Sequence, residues 1–221
     1  MIEFKAINYR DLTNETSTEI YSLRKKVFKD RLNWQVKCTE DMEFDEYDNE
    51  NTTYIMGVCE EEVACSLRLI ETKFPTMIMG TFLSFFNNIT LPTGHFIEAS
   101  RFFVDKTKIK ELNISKEPVT TMLYLTVINY AIENKYEGIY AIVSHSMMMI
   151  IKKSGWQISV VEKGISEKRQ RVYLIFLPTD KINQQILCAE VYSKTLLDTK
   201  DLAAVPLCFY SQDDSVISFN S

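Results

Sequence analysis

Two charged side chains stand inside a stretch that should hold none. Residues Phe96-Ile97-Glu98-Ala99-Ser100-Arg101-Phe102-Phe103-Val104 are aromatic, apolar or small apart from Glu98 and Arg101, and Gly94 and Asp105 stand beyond the ends. That composition predicts a buried strand, where an unpaired ion is costly. Either the two charges pair with each other or sit at the strand's ends, or they do chemistry. A buried carboxyl with a raised pKa can act as a proton acceptor. The spacing sets a condition. Side chains alternate along a strand, so residues three apart serve one site only if the strand is splayed or bulged between them. A bulge would also leave a backbone N–H outside the ladder, free to meet a developing negative charge.

The surrounding elements must position this pair. Residues 2–7 alternate as a first strand, and 14–30 carry helical stripes with Arg24 and Phe28 projecting together, four apart. Residues 33–51 lack periodicity and are acidic from Glu40 to Glu50; a loop of that length is usually functional or mobile. Asp45 and Asp48 either face solvent or turn inward to neutralise Arg24, Arg68 and Arg101. Residues 53–60 and 63–71 form a hairpin carrying Arg68. Residues 75–92 are an irregular connector with a short apolar helix at 81–86. After the charged strand come a helix at 118–135, with Gly138 after it, a strand at 139–144, a helix at 145–153 and a strand at 156–161. That strand–helix–strand unit predicts a parallel pair. A strand at 171–177 and a helix at 179–196 follow, and beyond Leu197 a peripheral tail is expected.

Composition narrows the function. The chain has 221 residues, enough for one α/β domain, and its net charge of −5 argues against nucleic acid as main partner. Five cysteines without a CxxC pair suit a reduced, cytoplasmic protein, and two scattered histidines give no metal site. No segment reaches membrane-spanning length. The acidic loop fails the calcium-loop pattern, with Glu46 where glycine is required. Cys65, on an apolar strand with no basic neighbour, reads as an inert thiol. Six glycines, none in a phosphate-binding spacing, argue against a dinucleotide or nucleotide loop.

Taken together, Arg24-Lys25-Lys26-Val27-Phe28, Trp34, Asp45, Asp48, Arg68 and the stretch from Glu98 to Val104 resemble the acyl-homoserine-lactone synthases, from about residue 21 to 177. The resemblance implies an acetyltransferase-like (GNAT-like) α/β fold, a mixed twisted sheet with helices on both faces in a single domain. It implies no cofactor: the α-amine of S-adenosylmethionine, a substrate, attacks the thioester of an acyl-acyl-carrier protein. The methionine carboxylate then closes on its γ-carbon and methylthioadenosine leaves. Glu98, Ser100, Arg101 and Phe102 form the catalytic set. Glu98 accepts the amine's proton, directly or through water, and the backbone near Arg101 and Phe102 meets the oxyanion. Phe28 and Trp34 face the sulfonium, Arg24 and Arg101 hold the carboxylate, and Asp45, Asp48 and Arg68 orient them. Residues 1–70 would then be a substrate-binding lid region, residues 95–177 the acyl-binding and carrier-docking half, and 197–221 the tail.

By the same resemblance Ala99, Tyr124, Val127, Ala141, Val143, Ser144, Met147, Ile150, Trp156 and Leu177 wall a pocket for a short-to-medium acyl chain. Relatives that prefer 3-oxo chains often carry a hydroxyl residue at the position of Ala141, which weakens that preference here. Lys152, Lys153, Lys168 and Arg169 become the dock for an acidic acyl-carrier protein. A monomer is expected. The rivals are a coenzyme-A-dependent N-acyltransferase of the same fold, which the missing glycine-rich loop disfavours, and a non-catalytic sensing module, which would need no Glu98.

Overall fold

A computed structural model describes residues 2–114, 118–195 and 201–209. Its main sheet contains β1 (Ile2–Asn8), β4 (Thr52–Cys59), β5 (Glu62–Glu71), β6 (Phe96–Val104), β7 (Gly138–Ser144), β8 (Ser159–Ile165), β9 (Arg171–Pro178) and β10 (Leu207–Phe209). The strand order is β10-β1-β4-β5-β6-β7-β9-β8. Every neighbouring pair is antiparallel except β6–β7. A separate two-stranded ribbon joins β2 (Cys38–Thr39) to β3 (Met42–Glu43).

Alternation along the strands sorts the core into two layers. Ile55, Ile97, Ile139, Ala141 and Val143 face one side, where α3 (Val119–Glu133), α4 (His145–Lys153) and α5 (Lys181–Thr195) cover them. Tyr54, Met56 and Phe103 face the other side, beneath α1 (Asn14–Arg24). Tyr140 and Leu174 also face that side, under Ile78, Phe86 and Ile89 of the β5–β6 connector. Helices therefore stand on both faces of a mixed sheet, as expected. No helix among the described residues is long and apolar enough to cross a membrane.

Local chemistry explains the element boundaries. The Thr13 side chain accepts from the Thr16 N–H and starts α1, and Ser144 does the same for α4 through Met147. Asp105 caps the short α2 (Lys106–Glu111) and also takes Lys26 Nζ at 2.8 Å. α1 runs on into a π-helical stretch, Lys25–Arg31, whose wider turn brings both Val27 and Phe28 inward.

Four expectations change. The predicted parallel pair of strands around α4 does not form, because β9 inserts between β7 and β8 and pairs antiparallel with both. The crossover through α2 and α3 supplies the parallel pair instead. The predicted helix at 81–86 is a single 3-10 turn, Leu83–Phe85. In the expected tail, Leu207–Phe209 pairs with β1, and Leu202 and Leu207 are buried; residues 197–200 and 210–221 lie outside the described residues. Within the lid region of residues 1–70, β1, β4 and β5 belong to the main sheet.

Candidate active site

The site is built on β6. Its ladder with β5 pairs Arg68 with Ser100 and then Ser66 with Phe103, so Arg101 and Phe102 together oppose Leu67 alone. This is a bulge, and Arg101 carries it with φ of 53°. The extra residue resets the alternation: Glu98, Ser100 and Arg101 face the α1 side, while Ala99, Phe102 and Val104 pack on the opposite core. On the other edge, β6 pairs with β7 only through Glu98–Tyr140 and then leaves it. The strand is both bulged and splayed, and that combination lets charges three apart meet on one face.

A lattice of three arginines and three carboxylates fills that face. Arg24 donates from Nε to Glu43 at 2.6 Å and from its two terminal nitrogens to Asp48 at 2.7 and 3.0 Å. Arg68 reaches Asp45 at 2.5 Å, Asp48 at 2.9 Å and the Ser100 hydroxyl at 3.1 Å. Arg101 donates to Glu43 at 2.7 Å and to Asp45 at 2.7 Å. Among the described residues its remaining terminal nitrogen meets only the Met77 thioether, at 3.4 Å. Asp45 and Asp48 therefore turn inward. Burial by itself would raise the Asp48 carboxyl, but the charges of Arg24 and Arg68 hold it well below its ordinary range. Burial lowers Arg101, with Arg24 and Arg68 repelling it while Glu43 and Asp45 oppose them.

Glu43 is the member that sequence reasoning missed. It is fully buried and ties Arg24 to Arg101. The only signal available was its place in an acidic run, shared with several neighbours that stay exposed.

Glu98 is 1% exposed, and among the described residues no cation pairs with it. Its two oxygens accept the N–H groups of Met77 and Ile78, at 3.2 and 2.7 Å. Burial raises its pKa, while the Ile78 N–H and the Arg68 charge oppose the rise. Phe28 lies under the Arg101 guanidinium, 5.7 Å from ring centre to Cζ. Trp34 stacks on Phe28 with centroids 5.1 Å apart and 15° between planes, and it remains 42% exposed. The π-helical exit holds this arrangement, since the Trp34 N–H donates to the Phe28 carbonyl. Cys65 is fully buried and its thiol is pushed up to about 12 by burial, as an inert thiol should be.

On the opposite face, Ala99, Tyr124, Val127, Ala141, Val143, Met147, Trp156 and Leu177 gather in one apolar core. Ser144 and Ile150 do not join it. The pitch of α4 turns Met148 and Ile151 inward, leaving Ile150 48% exposed, and Ser144 is spent as the exposed cap. Lys152, Lys153, Lys168 and Arg169 are all exposed, and Lys168 Nζ also meets the Asn33 carbonyl beside Trp34. Two clefts lie away from Glu98. One of about 490 Å³ is lined by Val104, Lys106, Ile109 and Val119, and one of about 380 Å³ by Glu50, Glu71, Ile97 and Tyr136.

Comparisons with known proteins show what the chain resembles. Residues 8–187 match the sequence profile of a family described as Autoinducer synthase. The chain is 49% identical over 207 residues to an acyl-homoserine-lactone synthase of Pectobacterium carotovorum subsp. carotovorum, covering 94% of this chain and 96% of that protein. It is 52% identical over 192 residues to one from Serratia liquefaciens, covering 86% and 96%. Among solved structures, a CoA-dependent acyl-homoserine lactone synthase, BjaI, with MTA superposes with a TM-score of 0.76 at 18% identity, covering 86% and 90%. An acyl-CoA N-acyltransferase from Pseudomonas aeruginosa gives 0.54 at 11% identity, covering 79% and 99%. These structural likenesses speak for the acetyltransferase-like fold.

Proposed function

The chain belongs to the autoinducer synthase family, acyltransferases that make acyl-homoserine lactones for quorum sensing, and from that premise we propose how its own residues divide the work. The amine of S-adenosylmethionine attacks the thioester carbonyl of an acyl-acyl-carrier protein where β6 and β7 part. The charge lattice receives the methionine end on one face of the sheet, and the acyl chain lies against the apolar core on the other. The bulge carries this reading. It places Glu98 and Arg101 on one face, beside a stretch of main chain that leaves its ladder.

Glu98 takes a proton from the attacking amine, directly or through one water, since a raised carboxyl is a better base near neutrality. A main-chain N–H of the bulge steadies the oxygen as the carbonyl turns tetrahedral. Collapse expels the carrier's thiol, which leaves with a proton, and an amide remains. The methionine carboxylate then attacks its own γ-carbon, the carbon–sulfur bond breaks, and methylthioadenosine departs as a neutral thioether. The lattice is balanced, three charges against three, so its arginines are oriented before substrate arrives. The terminal nitrogen of Arg101 that meets only a thioether is the donor best placed for the substrate carboxylate. The Trp34–Phe28 stack offers aromatic surface to the sulfonium.

A carrier protein fits as donor better than coenzyme A. No glycine-rich loop is available to cradle a pyrophosphate, and exposed Lys152 and Lys153 stand beside exposed Met149 and Ile150, a basic and apolar patch suited to an acidic helical partner. A cytoplasmic location follows from that partner. The test is product analysis. Purified chain with S-adenosylmethionine and acyl-carrier protein should yield acyl-homoserine lactone and methylthioadenosine in equal amounts, and faster than with the matching acyl-CoA. Donor consumption without methylthioadenosine would refute the two-step reaction, and faster turnover of acyl-CoA would refute the carrier as donor.

A further inference from the structure

Glu98 is held from the β5–β6 connector by three donors, and one of them is a side chain. Besides the Met77 and Ile78 N–H groups, at 3.2 and 2.7 Å, the Thr76 hydroxyl bonds to its carboxylate. Thr76 is 1% exposed, which keeps bulk water from competing for that contact. A hydroxyl has one proton to give and lone pairs to receive with. Here the receiving side faces the Met79 N–H at 3.4 Å, so the oxygen closes the turn while its proton points at the base. The turn itself is pinned. The Thr76 carbonyl accepts the Gly80 N–H at 3.0 Å, and the Met77 carbonyl accepts the Phe82 N–H at 2.8 Å. Any side chain at Gly80 would strike the Tyr47 hydroxyl, which also receives the Thr81 N–H at 3.3 Å.

Two of the three donors are main chain and stay wherever the turn stays. The hydroxyl is the member that a substitution can remove while keeping the shape. We propose that Thr76 is a positioning residue of the reaction: its hydroxyl fixes the orientation and the charged state of Glu98, so that a carboxylate meets the attacking amine. This rests on the acyl-transfer reading above, in which Glu98 is the base. Burial raises the Glu98 carboxyl, and the Ile78 N–H, the Arg68 charge, the Met77 N–H and the Thr76 hydroxyl oppose that rise. Other neighbours add little charge of their own. The turn, residues 75–82, has no charged side chain. Tyr140, the register neighbour of Glu98 on β7, is a phenol that burial pushes up, so it stays neutral. Arg101, on the same strand, is taken by Glu43 and Asp45.

The experiment follows methylthioadenosine release from S-adenosylmethionine and hexanoyl-carrier protein across pH. Only the carboxylate accepts a proton, so a higher Glu98 pKa moves the acidic limb to higher pH. Thr76→Val keeps the shape and loses the donor, and its limb should rise by about one unit, the lower end of what a hydrogen bond to a charged group is worth. Thr76→Ser, which keeps the hydroxyl, should return the limb to its wild-type place. A purely structural threonine would lower Tm and leave the limb where it was. A limb unmoved in Thr76→Val, or one that Thr76→Ser leaves displaced, would overturn the proposal with acyl transfer intact. Should Thr76→Val not fold, Thr76→Ala is read in its place; if neither folds, the hydroxyl is architectural and the proposal falls. A wild-type chain that releases no methylthioadenosine would instead overturn the acyl-transfer reading and this inference with it.

Discussion

Glu43→Gln is the sharpest probe of the lattice, because it removes one charge and keeps the shape. Glu43 is fully buried, and its oxygens lie 2.6 Å from Arg24 and 2.7 Å from Arg101. The substitution leaves three guanidinium groups facing two carboxylates. Breaking a buried ion pair by removing one partner costs about 3–5 kcal/mol, most of it the penalty of the uncompensated charge. For a chain of this length each kcal/mol shifts Tm by about 2–4 °C, so the expected fall is roughly 6–20 °C. Arg10 and Glu50 provide the control: their 2.8 Å pair is solvent-exposed on both sides, and Glu50→Gln should cost under about 1 kcal/mol. Urea denaturation of both variants beside the wild type measures the difference. Calorimetry should show weakened S-adenosylmethionine binding in Glu43→Gln alone. A loss under about 1 kcal/mol for Glu43→Gln, equal to the control, would mean that the lattice is relaxed or hydrated and does not hold its arginines in place.

Other expectations follow from the same geometry. Asp48 is held below its ordinary carboxyl value of 3.8 by Arg24 and Arg68 against the opposing effect of burial, so its contribution to stability is complete above that pH and lost as pH falls below it. Stability measured from pH 6 to 2 should therefore decline less steeply through the acid range in Asp48→Asn than in wild type; parallel curves would deny the linkage. Trp34→Ala should barely change Tm, the residue being 42% exposed, yet weaken S-adenosylmethionine binding by about 5- to 30-fold if its stacked face meets a desolvated sulfonium. Unchanged affinity would remove Trp34 from the site. The double charge reversal Lys152→Glu with Lys153→Glu should raise KM for the carrier-protein donor by about three- to tenfold and blunt its salt dependence, whereas an unaltered KM would move the dock elsewhere.

The charged strand was legible because two facts about it conflicted: an apolar composition, and charges at a spacing that a regular strand cannot bring to one face. Only a bulge or splay reconciles them, and β6 has both. Arg24 and Phe28 were legible from helical spacing. Glu43 was not, because its burial is decided by Arg24 and Arg101, which approach from distant parts of the chain, and a loop without periodicity carries no trace of that. The order of β7, β8 and β9 failed for a related reason. Sequence adjacency suggested that strands flanking α4 should pair, but β9, from further along the chain, lies between them and pairs with both. Ile150 was placed in the pocket by resemblance alone, and the pitch of α4 turns it to solvent.

The account rests on Glu98 as the base, and its pH–rate profile tests this most directly. Burial lifts the Glu98 carboxyl above its ordinary 4.5, and only the carboxylate can accept a proton, so the rate should fall as pH drops through that raised value. Glu98→Gln, with S-adenosylmethionine binding retained, should lose roughly 10²–10⁴ in kcat, and what activity remains should lack that acidic limb. A Gln variant turning over within a few-fold of wild type, with the same acidic limb, would contradict the account.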